Sequence, residues 1–485
     1  MQIATKKYQM FINGEFVEST SNETSQVINP ATEEVISEVP KGTIADVRQA
    51  VDAAAKAQKE WAKLPAIERA TYLRAISKGI RENADNLARI ISEEMGKTKA
   101  LAEVEVNFTA DYIDYTAEWA RRYEGEIVQS DRPNENIFVF KQPIGVVAGI
   151  LPWNFPFFLI ARKAAPALLT GNTIVLKPSA ESPNNALEFA KIVEKAGLPK
   201  GVINIVTGSG SVLGNELASN SKVGLVSLTG SYHAGAAVMR AAAENITKVS
   251  LELGGKAPAI VMADADLDLA VKSIVASRVI NSGQVCNCAE RVYVHEDIAD
   301  EFYEKIAEAM KQMKFGNPLV HSDIDMGPLV NKSSLEAVED HVKDAIAAGA
   351  KLLTGGKRSG EVGYYFEPTV LINATNEMRI MQEEIFGPVL PIATFKDLDE
   401  AIDLANDCEF GLTSSIYTQN LDVAMRASNE LQFGETYINR ENFEAIQGFH
   451  AGWKKSGIGG ADGKHGLEEY LQTHVVYLQY NLEKK

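Results

Sequence analysis

Apolar residues recur at three- and four-residue spacing from Thr43 to Leu64 (Val47, Val51, Ala54, Ala57, Trp61), with Lys, Glu and Gln between them. The same pattern runs from Ile67 to Lys97 through Leu73, Ile76, Ile80, Ala84, Leu87 and Ile91. Each stretch predicts an amphipathic helix. From 124 to 147 the pattern changes. Gly125–Val128 and Asn136–Phe140 flank a polar stretch holding Asp131, Pro133 and Asn134, which reads as a β-hairpin. Short β-branched runs at Gly145–Leu151, Thr173–Leu176, Val202–Val206 and Val223–Ser227 then alternate with helical patterns at Phe158–Leu169, Asn185–Ala196 and Ser211–Ala218. That alternation predicts an α/β fold with a parallel, doubly wound sheet. A second alternating block begins with a helical pattern at Leu267–Asn281 and runs to about Ile438, with strands near Arg291–Val294, Pro368–Ile372 and Ser414–Tyr417. Thr473–Tyr480 is a last β-rich run. A mid-chain hairpin and a terminal strand either pair across subunits or form an ordinary edge.

The run Ile144–Ala161 reaches the length of a membrane span. Pro152, Asn154 and Pro156 interrupt it, so a buried strand, a tight loop and a helix start fit better. The 485 residues, 45% hydrophobic and 23% charged, describe an ordinary globular chain that buries a sizeable core. With 48 Lys and Arg against 65 Asp and Glu, the net charge of −17 argues against a nucleic-acid binder. The three cysteines, Cys286, Cys288 and Cys408, are no disulfide framework, and Met1–Gln26 has no apolar signal core. A reducing, cytoplasmic setting is expected.

Four segments carry candidate chemistry. In Gly283-Gln284-Val285-Cys286-Asn287-Cys288, Cys286 sits where a helical pattern gives way to a glycine-containing loop. A free thiol is only about 3% thiolate at pH 7, so a nucleophile there needs a local push; a buried, inert Cys is the plain alternative. Cys286-x-Cys288 has no matching Cys/His pair elsewhere, so no metal is expected. Glu252 lies in an apolar strand-like run just before Gly254-Gly255-Lys256 and suits base duty, or is a satisfied strand-end carboxylate. Asn154, in Pro152-Trp153-Asn154-Phe155-Pro156, is a rigid amide fit for an oxyanion, or a helix cap. Lys177 and Ser179 end one strand. Gly208, Gly210 and Gly214 follow a second, and Thr229-Gly230-Ser231 closes a third. Glycines and hydroxyls at such junctions offer N–H groups to phosphate, although the spacing is not the Rossmann fingerprint.

Together these segments, with Glu384-Ile385-Phe386-Gly387-Pro388, resemble the aldehyde dehydrogenase superfamily along essentially the whole chain. The runs Asn281–Arg291 and Tyr437–Gly466 look like the bacterial lactaldehyde/glycolaldehyde dehydrogenases. The resemblance implies a cofactor-binding domain over 1–123 and 148–253, a catalytic domain over 254–438, and oligomerisation elements at 124–147 and 470–485 that build a homotetramer. It implies that Cys286 attacks the aldehyde, Asn154 helps hold the oxyanion, and Glu252 activates the water that hydrolyses the thioester. Trp153, Lys177, Ser179, Ser231, Leu253, Glu384 and Phe386 would surround NAD or NADP. Arg162, Asn287, Glu444 and His450 would form a polar pocket for a small hydroxyaldehyde, with a broad-specificity or semialdehyde dehydrogenase as the alternative.

One position departs from the family pattern. The usual Lys-Pro-Ser-Glu reads Lys177-Pro178-Ser179-Ala180 here, and the acid has moved to Glu181. An acid at that place repels a 2′-phosphate, so its absence favours NADP use, provided the strand stays extended and turns Glu181 away. A non-catalytic member of the fold would need none of Cys286, Glu252 and Asn154. A Cys hydrolase would need a His beside the thiol, and sequence proximity offers only His295.

Overall fold

The computed structural model describes residues 5–481. Residues 1–4, which open the first expected segment, and 482–485, which close the last, lie outside the described residues.

Two large sheets organise the chain. The first has eight strands in the order Gly457–Ile458, Lys248–Glu252, Val223–Thr229, Val146–Ile150, Thr173–Lys177, Ile203–Ile205, Met10–Ile12 and Glu15–Val17. The five from Lys248–Glu252 to Ile203–Ile205 are parallel. Their side chains alternate between two cores. Val147, Ile174 and Leu176 pack beneath helices Ala66–Glu82 and Phe158–Leu169, while Val146, Ala148 and Val175 pack beneath helix Ile44–Trp61. The chain moves outward from Val146–Ile150 to Ile203–Ile205, then returns to Val223–Thr229. The winding therefore reverses between Val146–Ile150 and Val223–Thr229, and a crevice opens beyond their carboxyl ends.

The second sheet has seven strands, in the order Lys351–Thr354, Thr369–Ile372, Val389–Phe395, Ala289–His295, Ala257–Val261, Thr413–Tyr417 and Glu435–Ile438. All but the first are parallel to their neighbours. Strand Gly457–Ile458 then crosses back to pair with Lys248–Glu252 on the first sheet. The last strand, Leu471–Gln479, pairs antiparallel with Glu135–Pro143 over nine residues, and Glu135–Pro143 pairs with Glu126–Gln129. The hairpin and the terminal strand thus pair within one chain. Ile127 (75% exposed), Phe140, Val475 and Tyr477 (67%) leave this small sheet with an apolar surface.

Three local expectations need correction. The single helix read over 67–97 is two, Ala66–Glu82 and Ala84–Met95. The Asn83 side chain donates to the Gly79 carbonyl at 2.7 Å and breaks the ladder there. Left-handed Gly96 ends the second helix. Helix Lys99–Glu118 had no counterpart in the sequence pattern. Its inward face carries Glu105 and Thr109 among Ala102, Val106 and Ala110, and these polar positions disguise the stripe. Helix Leu267–Val279 stops two residues short of the expected Asn281, because Ile280 already leaves the helical region (ψ 129°) and Asn281 and Ser282 after it are left-handed (φ 49° and 59°). The run Ile144–Ala161 is strand, loop and helix, and among the described residues no helix is long and apolar enough to cross a membrane.

Candidate active site

The loop that carries Cys286 is held by strain and by ions. Asn281, Ser282 and Gly283 are left-handed in succession, a conformation that costs non-glycine residues on the order of 1 kcal/mol or more each. Their surroundings fix them. Asn281 Nδ2 donates to the Asn154 carbonyl at 3.1 Å, Ser282 Oγ to the Gly327 carbonyl at 2.8 Å, and Gln284 Nε2 back to the Asn281 carbonyl at 3.0 Å. A Cβ on Gly283 would meet the Gly387 carbonyl at 2.3 Å, so only glycine fits where this loop touches the Glu384–Pro388 loop.

Beneath both loops lies a fully buried ion network. Arg278 donates to the carbonyls of Gly283, Gly387 and Ala289, and to Glu290 at 2.7 Å. Glu290 also accepts from Lys256 at 2.9 Å and from the backbone N–H groups of Ile385 and Phe386. Burial alone would raise the Glu290 carboxyl, but Arg278 and Lys256 hold it down to about 2. The Cys288 thiol rests on Arg278 at 3.3 Å and donates to the Val285 carbonyl at 2.9 Å; burial pushes it up to about 12. Cys288, which had no role in the sequence, is therefore packing rather than a nucleophile.

Gly254 and Gly255 serve close approach. A Cβ on Gly254 would lie 2.5 Å from Glu384 Oε2, and one on Gly255 would lie 2.4 Å from the Cys286 carbonyl. Gly255 N–H donates to Glu384 at 2.8 Å, and burial pushes that carboxyl up to about 8. Left-handed Phe386 (φ 54°) turns its ring edge-on to Trp153, 5.5 Å away. Leu253 N–H is paired with the Ser456 carbonyl.

A cavity of about 90 Å³ opens onto Cys286, Asn154, Glu252, Arg162, Asn287 and Glu444, with walls from Leu101, Val104, Phe108, Phe158 and Phe443. One Asn154 N–H goes to the Gln284 carbonyl at 3.0 Å and orients the amide, which leaves its second N–H for a ligand. Glu252 is buried and accepts from Thr229 Oγ1 at 3.3 Å. Arg162 is clamped through Nε at 3.0 Å and through Nη2 by Asp462; Nη2 also reaches Glu444 at 2.9 Å, and Nη1 lies 3.7 Å from Glu252. Glu444 accepts in addition from Asn287.

His450 is not on the cavity wall. Its ring meets the Cys286 thiol on one side and Glu435 on the other, with Nδ1 2.7 Å from Glu435 Oε1. Burial raises the Cys286 thiol above its usual range, and the His450 hydrogen bond works against that rise.

Sequence reasoning missed three groups here. Asp462 is the main partner of Arg162, Glu435 is the partner of His450, and Lys163 donates to Ser227 and Thr229 at 2.9 Å, its ammonium lowered to about 8 by burial. Only Lys163 had a sequence signal, as one of two adjacent cations, with Arg162, in an otherwise apolar helix.

The crevice fits a dinucleotide phosphate. Lys177 is buried and has no acidic partner among the described residues; its Nζ donates only to its own neighbour, the Pro178 carbonyl, and burial lowers it to about 8. Helix Gly210–Ser219 begins beside it, and a Cβ on Gly210 would lie 4.0 Å from Lys177 Nζ. Gly208, at φ 144°, turns the chain into that helix, and Gly230 follows Thr229 at the next strand end. Ser231 caps helix Tyr232–Ala242 by accepting from Ala234 N–H. Gly214 is buried against Ile150 and packs helix on sheet instead of facing the crevice. The extended strand expected to run on to Glu181 ends at Lys177. Ser179 Oγ accepts from Glu181 N–H in a turn, and the Glu181 carboxyl bonds Asn331.

The sequence model of the aldehyde dehydrogenase family matches residues 16–476. The chain belongs to the aldehyde dehydrogenase family. It is similar to the lactaldehyde dehydrogenase of Escherichia coli K12, with 64% identity over 473 residues that span 98% of this chain and 99% of that one. A crystal structure of the E. coli enzyme superposes with a TM-score of 0.97 and covers 98% of this chain and 100% of that one. The D-glyceraldehyde dehydrogenase (NADP+) of Picrophilus torridus is 41% identical over 98% of this chain and 96% of its own. A Staphylococcus aureus betaine aldehyde dehydrogenase, solved in complex with NAD+, is 37% identical with a TM-score of 0.95, covering 98% of this chain and 95% of that one. This aldehyde dehydrogenase is thus an NAD(P)-dependent oxidoreductase acting on an aldehyde.

The ion network yields a stability prediction. Glu290→Gln strips Arg278 and Lys256 of their shared carboxylate, and loss of one partner of a buried pair costs about 3 kcal/mol or more. Urea unfolding at neutral pH should show that loss. Because the folded carboxyl is held below its ordinary value of 4.5, its contribution is complete above that pH and disappears as pH falls toward 2. The difference between native and variant protein should shrink over that window.

Proposed function

We propose that this aldehyde dehydrogenase oxidises a small neutral hydroxyaldehyde, such as lactaldehyde or glycolaldehyde, to its acid. One observation carries the reading: Arg162 enters the pocket already flanked by the three carboxylates of Asp462, Glu444 and Glu252. Burial raises the Asp462 carboxyl, and its two contacts with the Arg162 guanidinium favour its ionised form. The distal carboxylate of a semialdehyde would find no uncommitted cation there and several like charges, which disfavours that alternative. A neutral hydroxyl meets an Arg162 Nη1 donor and the Glu444 acceptor in a dry, aromatic-walled space. The similarity to a lactaldehyde dehydrogenase supports the same class.

In this mechanism the Cys286 thiolate adds to the aldehyde carbon and forms a thiohemiacetal. The oxyanion is held by the free N–H of Asn154 and a backbone N–H at Cys286. Lys177, the strand-end glycines and Phe386 would hold the nicotinamide dinucleotide, which when bound would supply the acceptor for the hydride that leaves the thiohemiacetal carbon as it becomes a thioester. Glu252 then takes a proton from the water that attacks the thioester, and Cys286 leaves as the thiolate. The small sheet of Glu126–Gln129, Glu135–Pro143 and Leu471–Gln479, with its exposed apolar face, supports assembly into a homotetramer.

The test of the substrate class is steady-state kinetics on paired aldehydes. Glycolaldehyde and lactaldehyde should exceed unsubstituted aldehydes of equal length in kcat/KM. Leaving a buried polar group unpaired costs about 1–3 kcal/mol, so Glu444→Gln should narrow the preference by roughly tenfold. Equal rates on hydroxylated and plain aldehydes by the native enzyme would sink the reading.

Glu252→Gln should separate the two halves of the reaction. Thiol addition survives while hydrolysis slows, so a burst of reduced cofactor near one per active site precedes a slow steady rate. Disappearance of the burst would place Glu252 earlier, in activating Cys286.

For the cofactor, Ala180 offers no acid, Glu181 is engaged by Asn331, and the cationic Lys177 stays available to a 2′-phosphate. NADP should be used measurably alongside NAD. Ala180→Glu should shift the kcat/KM ratio toward NAD by about tenfold, equivalent to roughly 1.4 kcal/mol. A native enzyme with no activity on NADP would refute this assignment.

A further inference from the structure

We propose that Glu435 is a positioning residue that acts through His450 to set the protonation state of the Cys286 thiol. The proposal rests on Cys286 as the nucleophile of the reaction above. Glu435 opens the edge strand Glu435–Ile438, where its N–H and carbonyl are tied to the Leu412 carbonyl and Ser414 Oγ. His450 is almost fully buried, and its backbone is pinned in both directions to Ala461, at 2.9 and 2.8 Å. Two rigid backbones therefore bring Nδ1 to 2.7 Å from Glu435 Oε1. The other carboxylate oxygen accepts from Tyr437 Oη. Glu435 is thus fixed at both oxygens, and the ring cannot rotate without losing its partner.

That geometry sets the tautomer. A carboxylate accepts only, so the neutral ring must carry its hydrogen on Nδ1, which makes Nε2 the basic nitrogen available to the thiol. The Cys286 S–H bond breaks, its electron pair stays on sulfur, and the proton forms a bond to Nε2. No oxidant or co-reactant enters. The resulting imidazolium donates to Glu435 on one side and to the thiolate on the other.

The neighbouring charges act in both directions: Glu444 and Glu384 raise the Cys286 thiol, Glu444 raises His450 and Arg162 lowers it. Glu444, Glu384 and Cys288 act on Cys286, and Glu444, Arg162 and Asp462 act on His450. Among these, Glu444 is committed to Arg162 and Asn287 and Asp462 to Arg162, so Glu435 is the carboxylate that bonds the ring. Burial by itself would lower His450; the hydrogen bonds to Cys286 and Glu435, with the charge of Glu444, carry it well above its ordinary value.

The experiment is the pH profile of Cys286 alkylation by iodoacetamide in the full-length protein, with the modified site identified by peptide mass. Glu435→Gln should move the inflection upward by about one pH unit, a tenfold slower reaction near neutrality, and leave the high-pH plateau unchanged. Glu435→Asp should restore part of the shift, and Tyr437→Phe should leave the profile near native. In a His450→Gln background, adding Glu435→Gln should change nothing further. An unshifted inflection in Glu435→Gln, an equal shift in Tyr437→Phe, or a further shift in the His450→Gln background overturns the proposal. An active Cys286→Ala enzyme would instead overturn the reading of Cys286 as nucleophile, so the two failures are told apart.

Discussion

The Arg278–Glu290–Lys256 network is the constraint on which the reaction centre depends. Three charges with no solvent contact are costly to bury, and they persist because they pair with one another while every donor nitrogen of Arg278 and both oxygens of Glu290 are hydrogen-bonded. Arg278 receives carbonyls from the cysteine loop and from the Glu384–Pro388 loop, while Glu290 receives the N–H groups of Ile385 and Phe386. Two loops that share no sheet pairing are thereby locked to one another. The same lock explains why glycine stands at 254, 255 and 283. Each lies where a loop is drawn so close to another chain segment that a Cβ would overlap it.

Part of the backbone strain sits where that lock can hold it. Of the twelve non-glycine residues with positive φ among the described residues, Asn281, Ser282 and Phe386 lie in the two loops, and Asp462 is the residue that clamps Arg162. The backbone cost is offset by side-chain bonds that a relaxed helix could not make, such as Asn281 to the Asn154 carbonyl. The Cys286 thiol consequently sits on a rigid path rather than on a flexible loop, which is what the orientation of a proposed nucleophile requires.

The sequence made the repeating layers legible because strand and helix periods are local. Phe158–Leu169 matched its apolar pattern residue for residue, and the hairpin at 126–143 announced itself by alternating strands around Pro133-Asn134. Family motifs made Cys286, Glu252 and Asn154 legible, and the structure brings these three onto one cavity. What stayed hidden was non-local. Asp462 reaches Arg162 across 300 positions of sequence, and Glu435 reaches His450 only because a parallel edge strand and an isolated bridge place them side by side. The Asn83 break and the end of helix Leu267–Val279 depend on side-chain bonds that no hydrophobic pattern encodes. The sequence left the geometry at Glu181 open between an extended strand, slightly favoured, and a turn, and the bond from Glu181 N–H to the Ser179 hydroxyl belongs to the turn.

The pocket's selectivity follows from which polar groups are already satisfied. A guanidinium has five N–H donors. In Arg162, Nε and Nη2 are occupied by Asp462 and Glu444, whereas Nη1 has only the charge contact with Glu252 at 3.7 Å. The clamp removes the torsional freedom of the side chain and presents the remaining donors in one direction. A fixed, incompletely satisfied donor in a water-poor space discriminates more sharply than a mobile one, because an alkyl group placed against it leaves the donor desolvated and unpaired. The surrounding carboxylates also keep the site from acting as a bare positive charge. Under the proposed function, the same Arg162 would therefore reward a hydroxyl and offer little to a carboxylate, and this property would arise from Asp462 and Glu444 rather than from the arginine alone.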